Sequence, residues 1–153
     1  MLNITDGSLG DFFDAHRGSE VNISGGTLGD SFDAFLGSVV NISGGTVGDF
    51  FDANFGSEVN IFGSQFLLDD VELDSLLLGE SIIITDRDVT LSGLLADGEQ
   101  FSFDLNSSNS FDTDFFDSNA RLVLTLTSAG PEPSSTAFIT LAIAMGLARR
   151  RRS

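Results

Sequence analysis

Val21-Asn22-Ile23-Ser24-Gly25-Gly26 recurs as Val40-Asn41-Ile42-Ser43-Gly44-Gly45, and its first half returns as Val59-Asn60-Ile61. Both steps span 19 residues (40 − 21 and 59 − 40), and one further step back reaches Leu2-Asn3-Ile4. A fixed period near twenty residues is typical of solenoids, in which each unit stacks on the next. Three complete units therefore run over residues 2–20, 21–39 and 40–58.

The pattern inside each unit predicts strands. Val21 and Ile23 flank Asn22, an alternation of apolar and polar residues that suits a strand with one buried face. No stretch has helical periodicity, and the leucine spacing of leucine-rich repeats is absent. Further elements are predicted as short strands at 27–28 and 32–34 and as glycine corners at 25–26, 29 and 37–38. We therefore expect an all-β fold, a short parallel β-solenoid with one coil per 19-residue repeat.

In such a solenoid, like residues stack at ~4.8 Å from coil to coil. The invariant amide positions then predict a ladder of side-chain hydrogen bonds between coils. The invariant phenylalanines predict an internal ladder of rings. These ladders consist of Asn3, Asn22, Asn41 and Asn60, and of Phe13, Phe32 and Phe51.

From Phe62 onward the repeat decays, and residues 62–130 are predicted to form a β-rich cap. Leu67, Leu68 and Val71 are expected to cover the end of the last coil. Strands are predicted at 81–85 and 121–127. The polar stretch 106–119 is predicted to be an irregular surface loop.

A hairpin is predicted around Ala96-Asp97-Gly98. A three-residue loop with Gly98 in the left-handed conformation places Leu91 opposite Phe103 and makes one side of the hairpin apolar. A two-residue loop at 97–98 instead sets Leu91 opposite Asp104. Because a one-residue slip flips every side chain to the other face, burial favours the three-residue loop.

Composition excludes several classes of function. The net charge is −16, and residues 1–130 carry three arginines against twenty-two acids (3 − 22 = −19) with no lysine. Such a body repels phosphates, so nucleic acid is excluded as a partner. Without cysteine and with one histidine, His16, the chain lacks disulfides, thiol catalysis, a histidine triad and a multi-histidine metal site. His16 shares its unit position with Phe35 and Asn54, which predicts an exposed corner.

The acidic rows are the candidate binding site. Two carboxylates recur in every unit, where stacking at one coil spacing makes like charges repel. Calcium prefers oxygen ligands and would relieve that repulsion. The stretch GGTLGDSFD also resembles the calcium-binding GGxGxDxUx repeat, although Gly29 adjoins Asp30 without the intervening residue. Solvated turn carboxylates are the preferred interpretation, and calcium is the alternative. The residues concerned are Asp11, Asp14, Asp30, Asp33, Asp49 and Asp52.

A polysaccharide-cleaving β-helix is the enzyme alternative. Such sites pair acids with lysine or arginine to stabilise a developing anion, and residues 1–130 offer only Arg17, Arg87 and Arg121. We therefore expect no catalytic residues and no cofactor.

The chain ends in PEPSSTAFITLAIAMGLARRRRS, residues 131–153. Pro131 and Pro133 flank Glu132 and impose a stiff, extended strip. Residues 134–148 are uncharged and reach ~22 Å as a helix. This is less than the ~30 Å hydrocarbon core, a deficit that snorkelling arginines and local thinning reduce. The apolar side chains of this predicted membrane helix are Phe138, Ile139, Leu141, Ile143, Met145 and Leu147. The stop-transfer residues, which stay on the cytoplasmic side, are Arg149, Arg150, Arg151 and Arg152.

This order of motif, short apolar helix and basic stop closely resembles the PEP-CTERM sorting signal. The resemblance covers residues 131–153 and implies export across the inner membrane of a bacterium with an outer membrane. It implies processing near 131–133 by an exosortase, a membrane-embedded cysteine transpeptidase. The repeats and the stretch 79–107 are similar to repeat regions of some PEP-CTERM surface proteins, and this looser resemblance brings no enzymatic residues.

Met1 occupies the unit position of Glu20, Val39 and Glu58, and no signal peptide is present at this start. We therefore expect a longer protein with the export signal upstream.

The sequence predicts a solenoid at 1–61, a cap at 62–130 and a sorting signal at 131–153. The predicted function is a non-enzymatic exported protein, membrane-anchored as a precursor and then at the cell surface or in the extracellular matrix. Its predicted partners are the exosortase, the inner membrane before processing, and exopolysaccharide.

Overall fold

The computed structural model describes residues 1–128, an all-β fold built on a parallel β-solenoid of about three turns. No residue in this range is helical. The strands are β1 (Leu2–Ile4), β2 (Ser8–Leu9), β3 (Asp14–Ala15), β4 (Glu20–Leu28), β5 (Asp33–Ala34), β6 (Val39–Val47), β7 (Asp52–Ala53), β8 (Glu58–Leu68), β9 (Val71–Glu72), β10 (Ser81–Ile84), β11 (Thr90–Leu95), β12 (Gln100–Asp104), β13 (Phe115–Phe116) and β14 (Arg121–Leu126).

Each turn contributes to two sheets. The long strands β1, β4, β6 and β8 pair in parallel within a ten-stranded sheet, and the two-residue strands β3, β5, β7 and β13 form a four-stranded sheet. Val21 lies opposite Leu2, Val40 opposite Val21 and Val59 opposite Val40. The 19-residue period is therefore the inter-coil register, and the predicted solenoid is confirmed.

The core lies between the two sheets and repeats with the coils. Val40, Ile42, Val59 and Ile61 are fully buried. The ring of Phe32 stacks on Phe13 at 5.6 Å and on Phe51 at 5.1 Å between centroids. The predicted ring ladder is thus present. Full burial of each such aliphatic or aromatic side chain stabilises the fold by about 1.5–3 kcal/mol.

The glycine pair of the second and third units is not a corner. Two separate strands were expected on either side of 25–26, but β4 runs continuously through both glycines, and the prediction was wrong. The register of β4 with β6 shifts between Ile23 and Thr27, so the pair forms an irregularity inside one strand. Gly26 has φ +74°, a conformation that glycine adopts without penalty and that bends the strand without ending it.

The end of the last repeated coil is covered by β14 and not by the predicted Leu67, Leu68 and Val71. Leu67 and Leu68 are the last two residues of β8 itself. Val71 is 67% exposed, so it does not act as a lid. Instead β14 pairs in parallel with β8 and sets the buried Leu122 and Leu124 opposite Val59 and Ile61. A parallel strand satisfies the hydrogen bonds along this edge of β8, which a loop of leucines would leave unpaired.

Part of the stretch 106–119, predicted as a loop, belongs to the solenoid. Phe115 and Phe116 form β13, which pairs in parallel with Asp52 and Ala53 of β7. The Phe116 ring stacks on Phe51 at 5.8 Å and is fully buried. Apolar contact with the ring ladder thus outweighs the polar character of the surrounding sequence. The turn that begins with β8 is interrupted by an insertion, residues 69–114, and resumes at β13.

Within this insertion the predicted hairpin is confirmed. Leu91 of β11 lies opposite Phe103 of β12, and Leu95 N donates to Glu99 O at 2.8 Å. Gly98 has φ +92°, as the three-residue loop requires. The hairpin then packs on the solenoid by pairing β11 antiparallel with the far half of β8. Because β8 runs through Phe62, the solenoid and cap share one strand across the predicted boundary between 61 and 62.

Candidate functional site

The predicted sorting motif at 131–133, membrane helix at 134–148 and arginine stop at 149–152 lie outside the described residues. Within 1–128, no helix is long and apolar enough to cross a bilayer. The described residues end just after β14, which is bonded to the rest of the domain. There Gly79 N donates to Leu126 O at 2.8 Å, and Thr127 N donates to Gly63 O at 2.7 Å.

The outer acidic row joins successive coils through the backbone. Asp30 N donates to Asp11 Oδ1 at 2.9 Å, and Asp49 N donates to Asp30 Oδ1 at 2.8 Å. Each bond joins the same position of adjacent units, 19 residues apart. Hydrogen bonds from backbone N–H groups to a carboxylate stabilise its charged form. These exposed carboxylates therefore have a structural role in the turns.

Close packing of the coils explains the glycine before each of the last two aspartates of the row. A Cβ atom at Gly48 would lie 2.5 Å from Asp30 Oδ1 and 2.6 Å from the Gly29 carbonyl carbon, and one at Gly29 would lie 2.5 Å from Asp11 Oδ1. The carboxylate and the backbone of one coil thus occupy the space that a side chain in the next coil would need. In the first coil, a Cβ atom at Gly10 would meet nothing within 4 Å.

The inner acidic row lies on the four-stranded sheet. Asp33 is directly opposite Asp14 on one side and Asp52 on the other, in the parallel register of β3, β5 and β7. Burial increases along the row, from the exposed Asp14 to the partly buried Asp33 and Asp52. The row ends where Phe115 occupies the next position opposite Asp52. Three carboxyl groups are therefore stacked in register, one from each coil.

Asp52 is the most perturbed member of this row. Burial, followed by the neighbouring charges of Asp33 and Asp114, raises the pKa of Asp52 to about 7. Its Oδ1 atom is buried without a hydrogen-bond partner. Burial also raises the pKa of Asp33, an effect that a 3.3 Å hydrogen bond from Asn54 Nδ2 opposes. Near neutral pH, protons on this row therefore reduce its repulsion.

Sequence reasoning missed Asp114. Its carboxylate accepts hydrogen bonds from Phe51 N at 2.8 Å and from Asp104 N at 3.0 Å, which ties the third coil to the hairpin. Burial raises the pKa of Asp114. Recurrence of Asp49-Phe50-Phe51-Asp52 as residues 114–117 was a usable signal. The spatial register nevertheless differs from that alignment by two residues, since Phe115 lies opposite Asp52.

Sequence reasoning also treated Arg87 as one of three scattered arginines. Its guanidinium donates to Asp117 O at 2.9 Å, Ala120 O at 3.0 Å and Phe116 O at 2.9 Å, and more weakly to Ile84 O at 3.3 Å. It thereby satisfies the carbonyl groups of the final corner between β13 and β14. No local pattern in the sequence predicts these hydrogen bonds.

The remaining repeated positions are placed as predicted. Nδ2 of Asn22 donates to Asn3 Oδ1 at 2.9 Å, and the ladder continues through Asn41 and Asn60 at 2.7 and 2.8 Å. His16 is exposed and stacks on Phe35 at 5.5 Å between centroids. Both features link neighbouring coils.

The described residues do not gather a metal-ligand set. Nowhere in 1–128 do three or more acidic or histidine side chains form a group suited to a metal ion. An open groove is lined by Val47, Asp49 and residues 100–103, a set with one carboxylate and no basic side chain.

The chain was compared with family models, curated proteins and solved structures. None of the three comparisons yields a match.

Proposed function

We propose that this chain is a non-enzymatic exported protein of the cell surface or extracellular matrix, sorted and processed by an exosortase through residues 131–153. The observation that carries the proposal is the order of Pro131-Glu132-Pro133, the uncharged run 134–148 and four arginines at 149–152. An apolar run flanked by arginines partitions into a bilayer with its basic end on the cytoplasmic side. The domain that precedes it then faces outward.

The displayed part is an acidic spacer. Its repeated polar side chains bond chiefly to the equivalent residues of the next coil, as in the Asn22 to Asn3 bond, and this arrangement suits a rigid rod. A charge of −19 over residues 1–130 (3 − 22) keeps such a body soluble and away from anionic surfaces. We assign it a role as a matrix component, with exopolysaccharide as a weak partner.

The test is sorting in a bacterial host that has an exosortase. Because no signal peptide is present at Met1, the chain is expressed behind a cleavable export signal. We then expect it to reach the cell surface with its C-terminus shortened near 131–133, as mass spectrometry of the mature protein would report. In a host without the exosortase, the uncleaved chain should accumulate in the inner membrane.

Glu132→Ala should likewise leave the chain uncleaved, and Glu99→Ala, a change at an exposed hairpin acid, is the matched control. Recovery of the protein that carries the export signal with an intact C-terminus, in a host that has the exosortase, would overturn the proposal.

A further inference from the structure

An exposed pair of leucines lies at the tip of a tight turn in the insertion. Leu77 and Leu78 are 64% and 68% exposed. Glu80 N donates to Leu77 O at 2.9 Å, and Gly79 has φ +85°, which defines a β-turn over residues 77–80. Turn tips normally carry polar residues, because they project into water. This dileucine turn (residues 77–80) is therefore an apolar projection that the fold does not bury.

The dileucine turn lies beside the C-terminal end of β14. Gly79 N donates to Leu126 O at 2.8 Å, and Leu126 N donates to Glu80 O at 3.0 Å. Both bonds join the turn to the last residue of β14. Residue 134, where the uncharged run begins, is eight residues after Leu126 and thus lies within about 28 Å of it along an extended chain. The length of the intervening chain thus limits how far the start of the apolar run can lie from the turn.

The neighbouring strand extends the apolar surface. Ile82 and Ile83 of β10 are 39% and 52% exposed, and β10 pairs only with β14 among the strands of residues 1–128. Asp74 and Glu80 are the nearest acids along the chain. Acids beside an apolar tip disfavour anionic headgroups and leave an uncharged, zwitterionic lipid surface as the compatible partner.

From this placement we propose that the dileucine turn inserts into the surface of the bilayer and holds the solenoid against the membrane before processing. The inference rests on the proposed function, because residues 134–148 must first enter the membrane. Leucine side chains that leave water for the acyl boundary gain hydrophobic free energy. The turn then acts as a second contact that fixes the orientation of the domain.

The chain contains no tryptophan, so one introduced tryptophan reports on a single position. We would reconstitute the full chain carrying Leu78→Trp into phosphatidylcholine vesicles, with and without brominated lipid. The expected result is blue-shifted emission in vesicles and loss of most of it with brominated lipid. Leu77→Trp, at the adjacent tip position, is expected to behave in the same way.

Phe12→Trp is the matched control, because Phe12 is 79% exposed in the first coil, at the opposite end of the stack from β14. Its emission should stay unshifted and unquenched. Equal quenching of this control would overturn the inference, since contact with lipid would then not be specific to the turn.

The remaining outcomes separate the two proposals. If the protein floats with vesicles while both tip reporters stay unquenched, the turn does not meet lipid and only the inference fails. If the protein does not float at all, the membrane step of the proposed function fails, and the inference with it. Blue-shifted tip emission before vesicles are added, unaffected by brominated lipid, would mean that the chain's own tail or a second copy covers the turn, which also overturns the inference.

Discussion

The three repeated coils and the interrupted last turn are held together by different contacts. In the repeated coils, a residue bonds to its equivalent 19 positions away, as Asn41 does to Asn22. In the last turn, single residues make contacts that occur once. One example is the hydrogen bond from Phe51 N to Asp114 Oδ1, which joins residues 63 positions apart. The comparison indicates that stability is distributed over many similar contacts in the first region. In the second it is concentrated on a few side chains.

The largest expected effect lies where the two regions meet, at Phe51. This fully buried ring contacts Phe32 in the repeats and Phe103 and Phe116 in the last turn. Phe51→Ala should reduce the free energy of unfolding by about 3–5 kcal/mol, because it leaves a cavity shared by both regions. Urea denaturation followed by circular dichroism would measure the loss.

Phe13→Ala is the matched control for that change. Phe13 has the same unit position but is partly buried and stacks on Phe32 alone. Its removal should cost clearly less than that of Phe51. Equal losses would mean that the ladder distributes stability evenly to its end, and the contrast between the regions would disappear.

The second-largest expected effect on the unfolding free energy concerns the last turn alone. Arg87→Ala leaves the carbonyl groups of Phe116, Asp117 and Ala120 without their guanidinium donor. We expect a loss of about 2–3 kcal/mol in the free energy of unfolding. Arg87→Lys should recover only part of it, since an ammonium group lacks the planar fork.

Arg17→Ala, at an exposed position in the first coil, is the control and should leave the unfolding free energy nearly unchanged. If Arg87→Ala also left the unfolding free energy unchanged in urea denaturation, water would be satisfying the carbonyl groups of the final corner. The last turn would then not depend on this side chain.

A smaller effect depends on pH and concerns the inner acidic row. The pKa of Asp52 is about 7 in the folded protein, against ~3.9 for an unfolded aspartate. The folded state therefore binds the proton more tightly, so the stabilising contribution of this group is complete only below pH ~3.9 and is lost as pH rises from there to about 7. Asp52→Asn should raise the unfolding free energy by about 1 kcal/mol at pH 8, after allowance for solvent screening.

Near pH 3 that gain should vanish, because Asp52 is then protonated in both the folded and the unfolded wild type. Urea denaturation at the two pH values would measure the difference. A variant Asp52→Asn that is less stable than wild type at pH 8 would contradict the prediction.

The smallest expected effect is that of calcium. Asp11 and Asp30 each already accept a backbone hydrogen bond from the next coil, which engages one carboxylate oxygen of each residue. We expect calorimetry to detect no heat and the melting temperature to stay constant on addition of calcium. Binding that disappears in Asp30→Asn would restore the calcium alternative and give the repeats an adhesive function.

Prediction from the sequence succeeded wherever contacts follow a local or periodic rule. The 19-residue step placed Asn22 against Asn3, and the alternation of apolar residues around Gly98 set the hairpin register. It failed at the glycine pair 25–26, because a glycine with positive φ can mark either a corner or a bend within one strand. It failed again at Val71, because the strand that covers the last coil comes from much later in the chain.

The sequence by itself determined the period, the register of the coils, the ladders and the acidic surface, because identical units can stack only with like residues adjacent. Only the tertiary structure decided that Phe115 and Phe116 resume the solenoid and that Asp114 and Arg87 fasten it. An insertion of arbitrary length removes the fixed spacing between partners. The contacts of the last turn are therefore decided by the burial of aromatic rings and by hydrogen bonding of backbone groups. The repeat pattern in the sequence does not predict either of them.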